Sequence, residues 1–209
     1  MFTQTLPSIE QKVLLSGISW QTYETLLHEL SHRRLRLTYH RGYLEIMVPS
    51  PEHERSKRII GRFVETVAEE LEIKIAPLGS TTFKRPKVSG AEPDEFYIQN
   101  INAVKGKNRI NLEQDPPPDL VVEVDITSSS LIRFPVYAEL GVPEIWRYDG
   151  SVFTIYQLQN QEYVVCDRSQ AFPNLPLTEI SRFLQQATTV DYLELVASFR
   201  QWVRSRIVR

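Results

Sequence analysis

Hydrophobic residues recur along this chain at two spacings, one typical of helices and one typical of strands. A spacing of about 3.6 residues predicts amphipathic helices over 20–32, 52–72 and 189–206. Alternation over 35–48, interrupted at Arg41-Gly42, predicts a β-hairpin. Shorter apolar runs predict further strands, over 73–77, 93–99, 119–125, 144–148, 152–158 and 162–166. A short helix is expected near 131–140, where Gly141 ends it.

The order of these elements predicts a mixed α/β fold, with one central sheet flanked by helices. The chain of 209 residues contains no repeat, low-complexity tract or long linker. Residues 1–209 are therefore expected to form a single domain. The valine-rich segment 119–125 is bounded by turn residues, which favours a central strand buried on both faces.

Composition and segment lengths exclude several protein classes. Hydrophobic residues make up 42% of the chain and charged residues 24%, which is typical of a globular protein and not of a disordered one. The longest apolar run, 163–166, is too short to span a membrane, and the N-terminus lacks the pattern of a secretory signal. Cys166 is the single cysteine, so no intrachain disulfide is expected. We therefore expect a cytoplasmic protein without a membrane partner.

With a net charge of −2 the chain has no overall positive charge to attract a polyanion, so contact with nucleic acid requires a local basic patch. Basic residues cluster in three places, at Lys84, Arg85 and Lys87, at Lys105, Lys107 and Arg109, and among the C-terminal arginines. We take Lys84, Arg85 and Lys107 as candidate substrate contacts. Solvated surface charge is the alternative interpretation of each cluster.

Two acidic residues stand out because of their positions in predicted strands. Asp94 follows Pro93 at the start of one strand, and Glu123 lies near the end of the valine-rich strand. Alternation places Glu123 on the same face as Asp119 and Asp125, and a buried carboxylate needs a cation, a basic partner or a place at the rim. Mg²⁺ is one such cation, because it accepts one or two carboxylates and retains several waters. Solvent at the strand ends, or nearby arginines, would satisfy the same acids without a metal.

The Pro93-Asp94 pair and Glu123-x-Asp125 resemble the split signature of the PD-(D/E)XK nuclease superfamily. Longer segments are similar to a widespread restriction-endonuclease-like bacterial family of unknown physiological role, namely 44–47, 49–54, 118–124, 128–130 and 137–146. The resemblance spans residues 19–165, and its most specific segment is 137–146.

This resemblance implies a restriction-endonuclease-like core in which Asp94 and Glu123 hold Mg²⁺ or Mn²⁺, with the carbonyl of Val124 as a further ligand. In that family a lysine on the following helix usually replaces the signature lysine two residues after the glutamate. Here Asp125 occupies the usual lysine position and Arg133 the migrated one. Arginine does not act as a base toward water, but it can orient a phosphate and stabilise its developing charge.

The expected function is metal-dependent hydrolysis of phosphodiester bonds in nucleic acid, with DNA as the expected substrate and a homodimer as the expected assembly. A metal ion held by Asp94 and Glu123 activates water, while Arg133 steadies the phosphate. Glu45 is expected to complete the acidic cluster, and His53 to contact substrate or metal. A solvated strand face and a capping or surface histidine are the respective alternatives. A second hypothesis is a nuclease-fold protein without catalysis that binds nucleic acid or protein.

A separate motif at 28–32, His-Glu-Leu-Ser-His, matches the zinc-protease pattern H-E-x-x-H. A zinc metalloprotease built on His28, Glu29 and His32 is therefore a third hypothesis. Two features oppose it. Both histidines lie opposite the apolar face of the predicted helix, and the following strand forces that helix to end almost at once.

Overall fold

The structure is a computed structural model that describes residues 10–79, 81–107, 110–112, 114–126, 133–173 and 175–207. Within these ranges the chain forms two β-sheets and six α-helices. No helix among the described residues combines the length and the apolar character needed to cross a membrane.

The strands are named in chain order, and most of them are short. They are β1 Gln11–Leu15, β2 Arg36–His40, β3 Tyr43–Val48, β4 Ala76–Pro77, β5 Phe83–Arg85, β6 Ser89–Ala91, β7 Glu95–Ile98, β8 Leu120–Val124, β9 Glu144–Tyr148, β10 Phe153–Gln159 and β11 Glu162–Cys166. The helices are α1 Trp20–Glu29, α2 Pro51–Leu71, α3 Ile101–Val104, α4 Phe134–Leu140, α5 Ile180–Gln186 and α6 Tyr192–Arg206.

The first sheet is antiparallel and has the strand order β1-β3-β2-β6-β5. Its β2 and β3 form the predicted hairpin. Positive φ angles of 47° at Arg41 and 92° at Gly42 allow a two-residue turn that matches the twist of the paired strands. Helix α1 covers one face of this sheet, where Tyr23 packs against Leu37 and Tyr39.

The second sheet is mixed and has the strand order β11-β10-β9-β8-β7-β4. Strands β8 and β9 are parallel, and the other neighbours are antiparallel. A parallel pair needs a crossover connection, which contains α4. As predicted, β8 is an interior strand, and all five of its residues are buried.

The largest core cluster lies between the second sheet and helices α2, α5 and α6. Helix α2 begins where the Oγ of Ser50 accepts a hydrogen bond from the backbone N–H of His53 at 3.1 Å, with Pro51 in the first turn. The Phe63 ring of α2 stacks on Phe199 of α6 with 3.9 Å between ring centroids. A second cluster fills the other face of the sheet, under α4.

The structure confirms the mixed α/β class and the central mixed sheet with helices on both faces. The expectation of one sheet in total was wrong, because the hairpin pairs with β1 and β6 in a sheet of its own. Neither of those strands was predicted, because each is short and lacks a clear alternation of apolar and polar residues. Helix α1 also ends earlier than predicted, at Glu29.

Phe199→Ala is expected to lower the free energy of unfolding by about 3–5 kcal/mol, because it empties a fully buried site in the main core. The matched control is Leu193→Ala on the same helix. Leu193 is 72% exposed, so its truncation should change stability by less than about 0.5 kcal/mol. Urea denaturation of the two variants measures the difference. Similar losses in both would contradict the packing described for α6.

Candidate active site

Asp94 and Glu123 come together at one end of the second sheet. Strands β7 and β8 are antiparallel and pair Glu95 with Val122. A step of one residue back along β7 therefore corresponds to a step of one residue forward along β8. Carried one residue further, this register places Asp94 opposite Glu123. Side chains at directly opposite positions lie on the same face, with Cβ atoms about 5 Å apart. The two acids named by the sequence motif are thus neighbours in space.

The carboxylate of Asp94 is fully buried and is held by groups from three elements. Its Oδ2 accepts a hydrogen bond from the backbone N–H of Val124 at 2.7 Å and lies 3.2 Å from Nε2 of His53. Its Oδ1 lies 3.1 Å from Nη1 of Arg36 on β2. Burial alone would raise the pKa of Asp94, but the charge of Arg36 and the His53 contact hold it below its ordinary value. Asp94 is therefore ionised at neutral pH.

Glu123 is also fully buried, and both of its oxygens have partners. Nη1 of Arg133 donates to Oε2 at 2.6 Å, and the Tyr137 hydroxyl donates to Oε1. Burial and the charge of Glu123 raise the pKa of Tyr137 well above its ordinary value, so this hydroxyl keeps its proton. Burial, opposed by the charge of Arg133 and reinforced by that of Asp94, raises the pKa of Glu123 above its ordinary range. A further cation at this place would lower the pKa of Glu123.

Arg133 links Glu123 to Glu45 on the other sheet. Its Nε and Nη2 contact Oε1 of Glu45 at 3.0 and 2.9 Å. Lys12 on β1 binds the second oxygen of Glu45 at 2.6 Å. Glu45 is 2% exposed, so the alternative of a solvated strand face is wrong for this residue. The two acids from different sheets share one guanidinium.

His53 lies in the first turn of α2 and is fully buried, which rules out the alternative of a surface histidine. Its Nε2 faces Asp94, and its Nδ1 lies 3.7 Å from Glu54. Burial would lower the pKa of His53, but hydrogen bonding to Asp94 and Glu54 raises it to about 9. The helix cap itself is Ser50, to which His53 contributes only its backbone N–H.

An open cavity of about 500 Å³ lies beside this cluster. Arg36 and Glu54 line its inner side, and Arg34 and Lys57 add further basic groups to its wall. Arg36 also donates to the backbone carbonyl of Pro93 at 2.9 Å, directly before Asp94. The cavity therefore connects solvent with the residues that hold Asp94.

The other candidate contacts lie outside this cluster. Lys84 and Arg85 belong to the edge strand β5, where Lys84 lies 3.4 Å from Glu24 and Arg85 donates to the carbonyl of Glu139. Lys107 pairs with Asp115. The sequence segment 128–130 and Arg109 fall outside the described residues.

The H-E-x-x-H motif does not form a zinc site in this fold. Helix α1 ends at Glu29, so His28 and His32 do not lie one turn apart on a helix. All three residues are exposed. The zinc-protease hypothesis fails because its geometric requirement, a helix continuing through His32, is not met.

Sequence reasoning missed three residues that contact the acids, namely Lys12, Arg36 and Tyr137. Alternation in the hairpin places Arg36 on one face of its strand and Leu35 and Leu37 on the other face. Nothing in the local pattern indicates that the face of Arg36 is buried. Lys12 lies in a strand that was not predicted. Tyr137 appeared only as part of the longest motif, without a contact assigned to it.

Residues 20–190 match the family model of Uma2, whose description is "Putative restriction endonuclease". The chain belongs to the Uma2 family. The match covers the hairpin, α2, both candidate metal ligands and α4. No curated protein matches this Uma2 chain.

A solved structure from Anabaena variabilis ATCC 29413, described as "a putative nuclease belonging to DUF820", has a similar fold. The TM-score is 0.52 at 13% sequence identity, and the alignment covers 87% of this chain and 99% of the other. At this identity the likeness establishes the fold alone. That fold is nuclease-like, as the sequence resemblance implied.

The acidic pair of this Uma2 chain has the chemistry that a divalent ion requires. Mg²⁺ takes one or two carboxylates in many sites and fills its other positions with water and substrate phosphate. Asp94 and Glu123 supply that number from paired strands. In the described parts of the chain, no group of three or more acidic, histidine or cysteine side chains has metal-site geometry, so a bound ion would rely on these two acids and on ligands of other kinds.

Arg36→Met is expected to lower the free energy of unfolding by about 3–5 kcal/mol, because it leaves the buried carboxylate of Asp94 without its guanidinium partner. Arg34→Met, at an exposed position of the same cavity, should change stability by no more than about 0.5 kcal/mol. Urea denaturation at pH 7 compares the two variants. If Arg36→Met and Arg34→Met had the same free energy of unfolding, the Arg36–Asp94 pair would not contribute to the stability of the fold.

Proposed function

We propose that this protein is a metal-dependent nuclease that hydrolyses phosphodiester bonds in nucleic acid, with DNA as the substrate. The observation that carries the proposal is the meeting of Asp94 and Glu123 on paired strands, next to a buried guanidinium and an open cavity. Membership of the Uma2 family and the nuclease-like fold support the same chemistry.

In this proposal Asp94 and Glu123 hold Mg²⁺ or Mn²⁺, and the carbonyl of Val124 is a further ligand. A bound ion supplies Lewis-acid polarisation of the phosphoryl oxygen and a water of lowered pKa. Arg133 cannot accept a proton from water, because the pKa of a guanidinium is too high. Its role is to bind the phosphate and to stabilise charge that develops on it. Glu45 orients Arg133 through the contacts at 3.0 and 2.9 Å.

The substrate strand reaches this site through the cavity of about 500 Å³. Arg34 and Lys57 provide positive charge along its wall, which a protein of net charge −2 needs at the point of contact. Lys84, Arg85 and Lys107 are proposed as outer phosphate contacts of a longer nucleic acid. Their separation from the acidic cluster assigns them to affinity and not to the reaction.

A second candidate function is binding of nucleic acid without cleavage. The observation that favours it is that Arg36 and Arg133 already contact the carboxylates of Asp94 and Glu123. A buried acid paired with arginine is stable without a metal ion. The same cavity and basic groups would then serve for binding alone.

The homodimer and the cytoplasmic location stay predictions. Val13 and Leu14, on the edge strand β1, are 53% and 51% exposed and offer apolar area for a second copy. Light scattering of the purified protein measures the assembly state.

Asp94→Asn is expected to reduce Mg²⁺-dependent cleavage of plasmid DNA at least about a hundredfold, because it removes a charged ligand of the ion. The matched control is Asp119→Asn, directly before the neighbouring strand β8. Asp119 accepts a hydrogen bond from the backbone N–H of Gln99 at 2.7 Å, which an asparagine oxygen also accepts. Circular dichroism confirms that both variants fold. Full cleavage by Asp94→Asn would refute the proposed site.

The two candidate functions differ in their response to chelation. A nuclease loses cleavage in EDTA and regains it with Mg²⁺ or Mn²⁺. A non-cleaving binder shows no cleavage of single-stranded or duplex DNA or of RNA under any metal condition. It still binds a labelled oligonucleotide in fluorescence anisotropy, and neither EDTA nor Glu123→Gln changes that affinity.

A further inference from the structure

We propose that Arg133 gates the metal site: in the resting protein its guanidinium occupies the acids, and it moves to a nucleic-acid phosphate when substrate binds, so that nucleic acid and divalent ion bind cooperatively. This inference rests on the proposed function, and it assigns to the arginine a regulatory role toward the chain's own metal ligands.

The guanidinium of Arg133 is fully engaged with acid side chains in the resting protein. All three nitrogens of the Arg133 guanidinium contact acid oxygens, Nη1 on Glu123 at 2.6 Å, and Nε and Nη2 on Glu45 at 3.0 and 2.9 Å. The residue is 1% exposed, so bulk solvent does not reach these contacts. The second oxygen of Glu123 accepts from Tyr137. A divalent ion can therefore reach Glu123 only beside or in place of these donors, and the adjacent guanidinium repels it.

The buried acids of the site are each paired with a basic side chain. Three buried acids, Glu45, Asp94 and Glu123, each lie within 3.1 Å of a basic side chain. Those partners are Lys12, Arg36 and Arg133. His53 and Glu54 add one further group of each sign at the edge of the cluster. Among these described contacts each acid is matched by one basic group before any ion enters, and a divalent cation would add positive charge to a buried place.

A nucleic-acid substrate would supply both the charge and the hydrogen-bond acceptors that the exchange needs. A phosphodiester brings negative charge, which compensates part of the charge of the ion. Its two free oxygens also fit the planar fork of a guanidinium, so Arg133 can exchange carboxylate partners for phosphate without losing its hydrogen bonds. The exchange releases Glu123 for the ion. Because coupling between two ligands is reciprocal, the ion must also tighten binding of the nucleic acid.

The test is a calorimetric titration of the full chain with Mn²⁺, with and without a duplex oligonucleotide whose phosphorothioate linkages resist cleavage. The wild-type protein should bind Mn²⁺ at least about tenfold more tightly with the oligonucleotide. Arg133→Gln should bind Mn²⁺ at least about tenfold more tightly than wild type without the oligonucleotide, and the oligonucleotide should add little. Arg200→Gln, which removes a guanidinium held between Glu69 and Glu70 at 2.6 Å from each, is the matched control outside the site and should behave as wild type.

A second measurement covers the case in which Arg133→Gln is unstable. Without metal this variant should melt below wild type, and Mn²⁺ should raise its melting temperature more than that of wild type. Adding Glu123→Gln to Arg133→Gln should abolish the gain. Should Arg133→Gln fail to fold, Arg133→Lys replaces it, since an ammonium offers one nitrogen in place of the three that contact the two acids and should release part of the site.

Equal Mn²⁺ affinity in wild type and the Arg133 variants would overturn the gate, as would a wild-type affinity that the oligonucleotide does not change. Cleavage is scored separately. A cooperative metal site in a protein that cleaves nothing would keep the gate and refute the nuclease. Cleavage by a wild type whose metal affinity ignores the oligonucleotide would keep the nuclease and refute the gate.

Discussion

The arrangement of the site depends on one buried interaction, the guanidinium of Arg133 held between Glu45 and Glu123. Glu45 belongs to the first sheet and Glu123 to the second, so this interaction ties the two sheets together at the place where the acids meet. Burying three charged groups carries a desolvation penalty, and well-packed apolar residues often give equal or greater stability. The interaction is therefore better explained by what it does to the acids than by what it adds to the stability of the fold.

The local sequence predicted those parts of the molecule that local physics determines. Alternation and the Arg41-Gly42 turn predicted the hairpin, and a capped stripe of apolar residues predicted α2. The position of Glu123 in a valine-rich strand indicated a buried acid in need of a partner. The partners themselves come from elsewhere in the chain. Arg36 reaches Asp94 only because the two sheets pack together, and Lys12 reaches Glu45 only because β1 pairs with β3. The spacing of residues within one strand carries no information on either contact.

The arginine at position 133, where the sequence resemblance implies a lysine, matters physically. A lysine ammonium is a point charge on a flexible stem, whereas a guanidinium is a planar fork with several donors in fixed directions. Arg133 uses that fork to contact two acids from different sheets at once. An ammonium at this place would offer one nitrogen in place of three. Arginine at this position therefore changes the resting state of the site, in addition to replacing the lysine, implied by the resemblance, that could lose a proton.

The two candidate functions share this fold and differ in one free energy, that of moving Arg133 from the acids to another partner. If no partner compensates the free energy lost with the ion pairs, Arg133 stays on the acids and the protein binds without cutting. A nucleic-acid phosphate is the partner best suited to compensate that loss, because it offers a guanidinium two acceptor oxygens and the same sign of charge as the carboxylates that it replaces. The cavity brings such a phosphate to Arg36, which contacts Asp94 of the cluster. The acids that hold the guanidinium in the resting protein are then the groups that its departure makes available for chemistry.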